Sequence, residues 1–199
     1  MPHPIPSRIV IATHNAGKLR EFADLLRPYA SEIVSAGELG LPSPIESGAT
    51  FTENAILKAK AAALASGSLA LADDSGLCVT ALGGRPGIFS ARLVDESGSL
   101  SAAMQHIQNE LGDTADRSAS FICVLALYWP DGHSETIEGR VNGTLARAPR
   151  GTFGHGYDPI FVPNGYDRTF AEMRDEEKNA ISHRGMAMKE LIRKFFPLS

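Results

Sequence analysis

The chain has 199 residues, 43% of them hydrophobic and 21% charged, and a net charge of −4. That is enough chain and apolar content for a core, and residues 1–199 fit one large domain or two closely merged lobes. The acidic balance argues against a general nucleic-acid binder, which carries a basic stripe, but not against a small anion in a local basic pocket.

The opening Met1-Pro2-His3-Pro4-Ile5-Pro6 has no apolar signal-peptide core, and no run is long enough to span a bilayer. The expectation is a cytoplasmic protein without a membrane partner. Arg8 to Thr13 reads as a buried first strand. Asn15 is the expected N-cap of a helix from Gly17 to about Arg27, with Leu19, Phe22, Leu25 and Leu26 on its apolar face and Pro28 at its end. Glu32 to Ser35 is a short strand, and Gly37 to Ala49, with Pro42, Pro44 and Gly48, is a loop. Thr50-Phe51-Thr52-Glu53 has capping-box spacing and starts an alanine-rich helix through Ser66, closed by Gly67.

Strands from Leu69 to Ala72 and from Leu77 to Ala81 are expected around a corner at Asp73-Asp74-Ser75-Gly76. Gly83 to Gly87 is a tight irregular loop, and Leu100 to Leu111 is an amphipathic helix. Two β-rich stretches, Ser118 to Trp129 and His133 to Leu145, form a hairpin turned by Pro130-Asp131-Gly132. Gly151 to Gly156 is a loop before a short strand, Pro159 to Val162. Glu176 to Phe196 is largely helical, with Ala187, Leu191, Ile192 and Phe195 facing inward. Strands alternating with helices around a long hairpin imply an α/β fold with a mixed sheet. Cys78 and Cys123, each in an apolar run, read as buried thiols rather than a disulfide or zinc framework.

Four polar clusters carry chemistry. Thr13-His14-Asn15-Ala16-Gly17-Lys18 follows a strand and opens a helix, where backbone N–H groups and the helix dipole favour an anion. It is not a P-loop, because Ala12 and Leu19 stand where that motif needs Gly and Ser/Thr. Lys18 in the first turn opposes the dipole unless an anion, such as a phosphate, lies there. Asp73-Asp74-Ser75-Gly76 ends an apolar run, so its carboxylates need a metal or a cation. Strand alternation places Asp74 with Ala70 and Ala72, leaving room for a ligand, and Asp73 with Leu69 and Leu71, facing packing or a backbone partner. Asp74 is therefore the better base and metal ligand, and Glu46 can be a second carboxylate for magnesium. Gly154-His155-Gly156-Tyr157-Asp158 lets backbone approach a flat ligand, with His155 and Tyr157 able to stack and Asp158 able to anchor a turn. Lys178, His183 and Arg184 gather donors for carbonyl or phosphate oxygens near a helix start that Ser182 can cap. Each cluster alone also reads as a capped turn or a solvated helix end. Together they point to a metal-dependent enzyme acting on a phosphorylated, planar substrate.

These stretches, with Phe51 to Lys60 and Leu82-Gly83-Gly84-Arg85-Pro86-Gly87, resemble the inosine triphosphate pyrophosphatase family, the dITP/XTP pyrophosphatases. The resemblance runs from Ile9 to the last helix. It implies an elongated mixed sheet whose flanking helices form two lobes around a central cleft, in a homodimer. It also implies magnesium-dependent hydrolysis of inosine, deoxyinosine and xanthosine triphosphates to the monophosphate and pyrophosphate. On that resemblance Thr13, His14, Asn15, Ala16, Gly17 and Lys18 form a substrate loop. Asp74 is the general base and a metal ligand, with Ser75 beside the substrate. Glu46 is the second metal-site acid and Lys58 faces phosphate. His155, Gly156, Tyr157, Asp158, Lys178, His183 and Arg184 contact the nucleotide. The family usually has phenylalanine where this chain has His155, and a common Thr-Gly-Asn becomes Thr13-His14-Asn15. A nucleotide sensor without turnover is the rival reading; it would need no positioned base such as Asp74.

Overall fold

The structure, a computed structural model, describes residues 5–14 and 16–196. The cap expected at Asn15 lies outside them. The elements in chain order are β1 (Arg8–Ile11), α1 (Ala16–Leu26), β2 (Glu32–Ser35), α2 (Phe51–Ser66), β3 (Leu69–Val79), α3 (Ser90–Ser97) and α4 (Leu100–Leu111). There follow β4 (Ser118–Tyr128), β5 (Ser134–Leu145), β6 (Phe161–Pro163), α5 (Asp175–Ile181) and α6 (His183–Phe195). Among the described residues six strands form one sheet in the order β2-β1-β3-β4-β5-β6, with β1 parallel to β2 and β3, and β6 antiparallel to β5. This mixed sheet with flanking helices is the α/β class implied by the alternation of elements. Among the described residues, no helix is long and apolar enough to cross a membrane.

The chain divides into two compact units. The first comprises the chain up to Asp74, Val124–Glu138 and the stretch from Ala187 onward. Its buried strand Ile9, Val10 and Ile11 lies in register with Leu69, Ala70 and Leu71 of β3. Phe22 and Leu26 of α1 are fully buried. On α2 the buried positions are Asn54 and, at a helical spacing, Ala55, Ala59, Ala62 and Ala63, whose small side chains let the helix sit close to β1. Thr50 caps α2 by accepting from Glu53 N at 3.1 Å, whereas the Glu53 carboxylate reaches Ala49 N at 2.7 Å. Gly67 closes the helix at φ +65°, donating to Ala63 O.

The second unit comprises Ser75–Cys123 and Gly139–Met186. Its core joins Leu77 and Val79 of β3, Met104 and Ile107 of α4, and the rings of Phe121, Phe161 and Phe170.

Several local expectations change. The corner expected at Asp73 to Gly76 is absent, and β3 runs unbroken for 11 residues. Both acids have lysine partners, so the carboxylates need no turn to reach solvent. Helix α3 was not read from the sequence; its eight residues are too few for a clear period, and no side chain caps its start. The final helical stretch breaks at Ser182, whose hydroxyl accepts from Gly185 N at 3.1 Å and starts α6. Ala187 and Leu191 are buried as expected, but Ile192 and Phe195 are only half-buried, and Met188 and Phe196 take the inward places. Leu25 is exposed, and Cys78 is half-buried while Cys123 is buried.

Candidate active site

In the first unit, alternation along β3 sends the two adjacent acids to different lysines. Asp73 is 5% exposed and Asp74 6%. Lys18 Nζ, from the first turn of α1, donates to both Asp73 oxygens at 2.9 Å. Asp73 therefore meets a lysine side chain where packing or a backbone partner was expected. Lys58, on the third turn of α2, donates to Asp74 Oδ1 at 2.7 Å and to Glu46 Oε1 at 2.8 Å. One ammonium thus bridges two carboxylates from separate segments. Asp74 Oδ2 is buried and, among the described residues, has no hydrogen-bond partner.

Burial pushes the Asp74 carboxyl above its ordinary range; Lys58 opposes this, while Glu46 and Asp73 add to it. Burial alone would lower Lys58, but the attraction of Asp74, reinforced by Glu46 and Asp73, raises it. The cluster therefore holds a firmly charged ammonium beside a basic carboxylate. A cavity of about 170 Å³ opens here, lined among others by His14, Leu41, Ser43, Glu46, Lys58 and Ala62. Thr13 is buried at the end of β1, and Ala16 and Gly17 begin α1.

The orphaned Asp74 oxygen tests whether a metal fits. A buried carboxylate oxygen without a donor is costly, and a cation satisfies it. Among the described residues no group of three or more His, Cys, Asp or Glu could hold a metal. The two carboxylates, Asp74 and Glu46, suit magnesium, which takes one or two carboxylates and fills its other positions with water and phosphate oxygens.

In the second unit, the other residues singled out in the sequence divide between core and surface. Asp158 is 2% exposed and accepts from Lys178 Nζ at 2.5 Å and from His155 N at 2.7 Å. Lys178 is 7% exposed, so this is a buried ion pair that pins the glycine loop to α5. Gly154 sits at φ +71°, and a Cβ there would collide with the Asp158 carboxylate, so no side chain fits. The His155 side chain is exposed. Phe153, not singled out in the sequence, is also exposed on this loop, its amide held by Ala171 O at 2.9 Å. His183 is buried and stacks on Phe121, with centroids 4.8 Å apart and planes 10° from parallel. Arg184 follows it, half-buried, on α6, and Ser75 and Gly156 are half-buried too.

Tyr157 belongs to the core, with its hydroxyl donating to Ser90 O at 2.8 Å. Its ring is enclosed by protein and not open to a flat ligand. Burial pushes the phenol up to about 12 from 10.0. The folded state keeps the proton longer than the unfolded chain, so stability must fall as pH rises from 10.0 to about 12. Tyr157→Phe is expected to cost about 1 kcal/mol at neutral pH and to flatten that alkaline loss. Denaturant melts of both proteins at neutral and alkaline pH check this.

The chain matches the Ham1 family over residues 9–194. A dITP/XTP pyrophosphatase of Gluconobacter oxydans is 54% identical over 186 residues, spanning 94% of this chain and 89% of that protein. One from Zymomonas mobilis is 52% identical, spanning 94% and 91%. The solved structure of a HAM1 protein from Coxiella burnetii superposes with a TM-score of 0.88 at 43% identity, covering 92% of this chain and 95% of that one. The Staphylococcus aureus Ham1 protein gives 0.85 at 42% identity, covering 92% and 95%. With this match across almost its whole length, the chain belongs to the Ham1 family.

Proposed function

We propose that this protein hydrolyses deaminated purine nucleoside triphosphates to the monophosphate and pyrophosphate, using magnesium, and works as a cytoplasmic homodimer. The relatives' names supply the substrate class. The observation that carries the chemistry is Asp74, a buried carboxylate with raised basicity, one oxygen on Lys58 and the other without a partner among the described residues.

Glu46 and Asp74 would hold magnesium, which would offset the charge of the phosphate oxygens. Asp74 takes the proton from the attacking water, a task that suits a carboxylate raised toward neutrality. The water oxygen bonds to the α-phosphorus as the bond to the bridging oxygen breaks, and pyrophosphate leaves. Lys58 offsets negative charge developing beside it, and Lys18, oriented by Asp73, does the same at the helix start. Asp158 and Lys178 hold the glycine loop, on which His155 and Phe153 are the exposed rings for a purine. His183 and Arg184 supply donors suited to a carbonyl where adenine carries an amino group. Adenine would leave such donors unpaired, which can cost about 10⁴-fold in kcat/KM.

The test is pyrophosphate release from ITP, dITP, XTP, ATP and GTP, with and without magnesium. The three deaminated substrates should lead ATP and GTP by orders of magnitude, and chelation should abolish turnover. In heavy-oxygen water the label should enter the monophosphate. Label in the pyrophosphate would mean attack at the β-phosphorus and defeat the mechanism. Equal rates on ATP would defeat the donor assignment.

A further inference from the structure

The loop from Gly37 to Ala49 carries Glu46, and its two ends are tied differently from its middle. At one end Leu41 N donates to Ala36 O at 2.9 Å. At the other, Gly48 N donates to Asn54 Oδ1 at 2.8 Å and Ala49 N to Glu53 Oε2 at 2.7 Å. Between them lie Pro42 and Pro44, which have no N–H to give, and Ser43, Ile45, Glu46 and Ser47 are all exposed. A long carboxylate side chain on such a segment is placed only if its backbone is placed.

The His14 ring reaches into this middle from the end of β1. Its Nε2 lies 2.7 Å from Leu41 O and its Nδ1 lies 2.8 Å from Ser43 Oγ. A carbonyl can only accept, so Nε2 carries a proton. In the neutral ring Nδ1 then accepts from the Ser43 hydroxyl. One ring therefore satisfies two groups of the loop, three residues short of Glu46. On the far side Glu46 meets Lys58, which also holds Asp74.

We infer that His14 is a positioning residue: it latches the loop to the end of β1 and thereby sets Glu46 beside Lys58 and Asp74. The inference rests on the proposed reading of Glu46 as a metal ligand. It gives His14 a task distinct from touching substrate. Removing the ring should leave the fold intact, because His14 is exposed. It should loosen the loop and weaken the metal by on the order of five- to thirty-fold, the worth of one to two hydrogen bonds.

The experiment compares wild type, His14→Ala, His14→Gln and Ser43→Ala. Hydrogen–deuterium exchange reads the bonded amides of the loop segment, those of Leu41, Gly48 and Ala49, and titration with manganese(II) alone, followed by electron paramagnetic resonance, reads the metal. His14→Ala should speed exchange in that segment and not in α2, and should lower manganese affinity by the stated factor. Ser43→Ala should do less of both. His14→Gln can donate through its amide nitrogen and accept through its oxygen, so it should restore both. In turnover assays His14→Ala should raise the magnesium concentration for half-maximal rate, and His14→Gln should return it to the wild-type value. Unchanged exchange in His14→Ala overturns the latch. Faster exchange with unchanged manganese affinity overturns its link to Glu46. If wild type hydrolyses no nucleotide, the proposed activity fails while the exchange and manganese readouts still decide the latch.

Discussion

Replacing Asp74 by asparagine is expected to lower kcat by about 10²–10⁴-fold while the protein still folds. The substitution keeps the shape of the side chain but removes the charge that accepts the proton and faces the metal. The fold should survive because Asp74 is buried at a net electrostatic disadvantage. Its carboxyl is pushed up by burial, so the charged form adds no stability of its own. Lys58 keeps Glu46 at 2.8 Å as a partner. A wild-type acid limb should accompany this result. Because the carboxyl is raised, activity should fade on acidification before ordinary carboxylates titrate, and the residual activity of Asp74→Asn should lack that limb. Asp73→Asn should lose less kcat and more affinity, because Asp73 orients Lys18. Steady-state kinetics against pH, with thermal melts of all three proteins, measure these effects. Wild-type turnover by Asp74→Asn would remove the base from the mechanism.

Lys178→Met is expected to cost about 3–5 kcal/mol of stability. The variant leaves the Asp158 carboxylate, 2% exposed, in the protein interior without its cation. Only the His155 amide would remain among the two donors that hold it. Breaking one half of a buried pair is costlier than replacing both halves, since the lone charge keeps its full desolvation penalty. The double variant Lys178→Met with Asp158→Asn should therefore recover more than half of the loss. The Asn oxygen can still accept from His155 N. Denaturant midpoints of the two single variants and the double variant test this as a cycle. If Lys178→Met melts with wild type, the pair does not hold the loop.

The sequence by itself determined the class of the fold and the place of most elements. Apolar runs at Ile9 to Ile11 and Phe121 to Leu127 could only be buried strands, and the Pro130-Asp131-Gly132 turn made β4 and β5 a hairpin. The Thr50 cap and Gly67 stop bounded α2 to the residue because both act through local backbone bonds. The family too was legible, since long motifs in order need no contact map.

The tertiary structure decided the partners. Asp73 and Asp74 looked like a corner because two adjacent acids after an apolar run seem to require solvent. Lys18 and Lys58, 55 and 16 residues away, neutralise them and keep β3 straight. Tyr157 looked like a stacking ring, yet its hydroxyl finds Ser90 O, 67 residues distant, and its ring fills the core. Lys178 and Asp158 read in the sequence as two separate polar residues, and folding makes them each other's counter-ions across 20 residues. Periodicity and capping report on bonds within a few residues along the chain. A buried charge is settled by whichever opposite charge folding brings within about 4 Å, and no local pattern encodes which one that is.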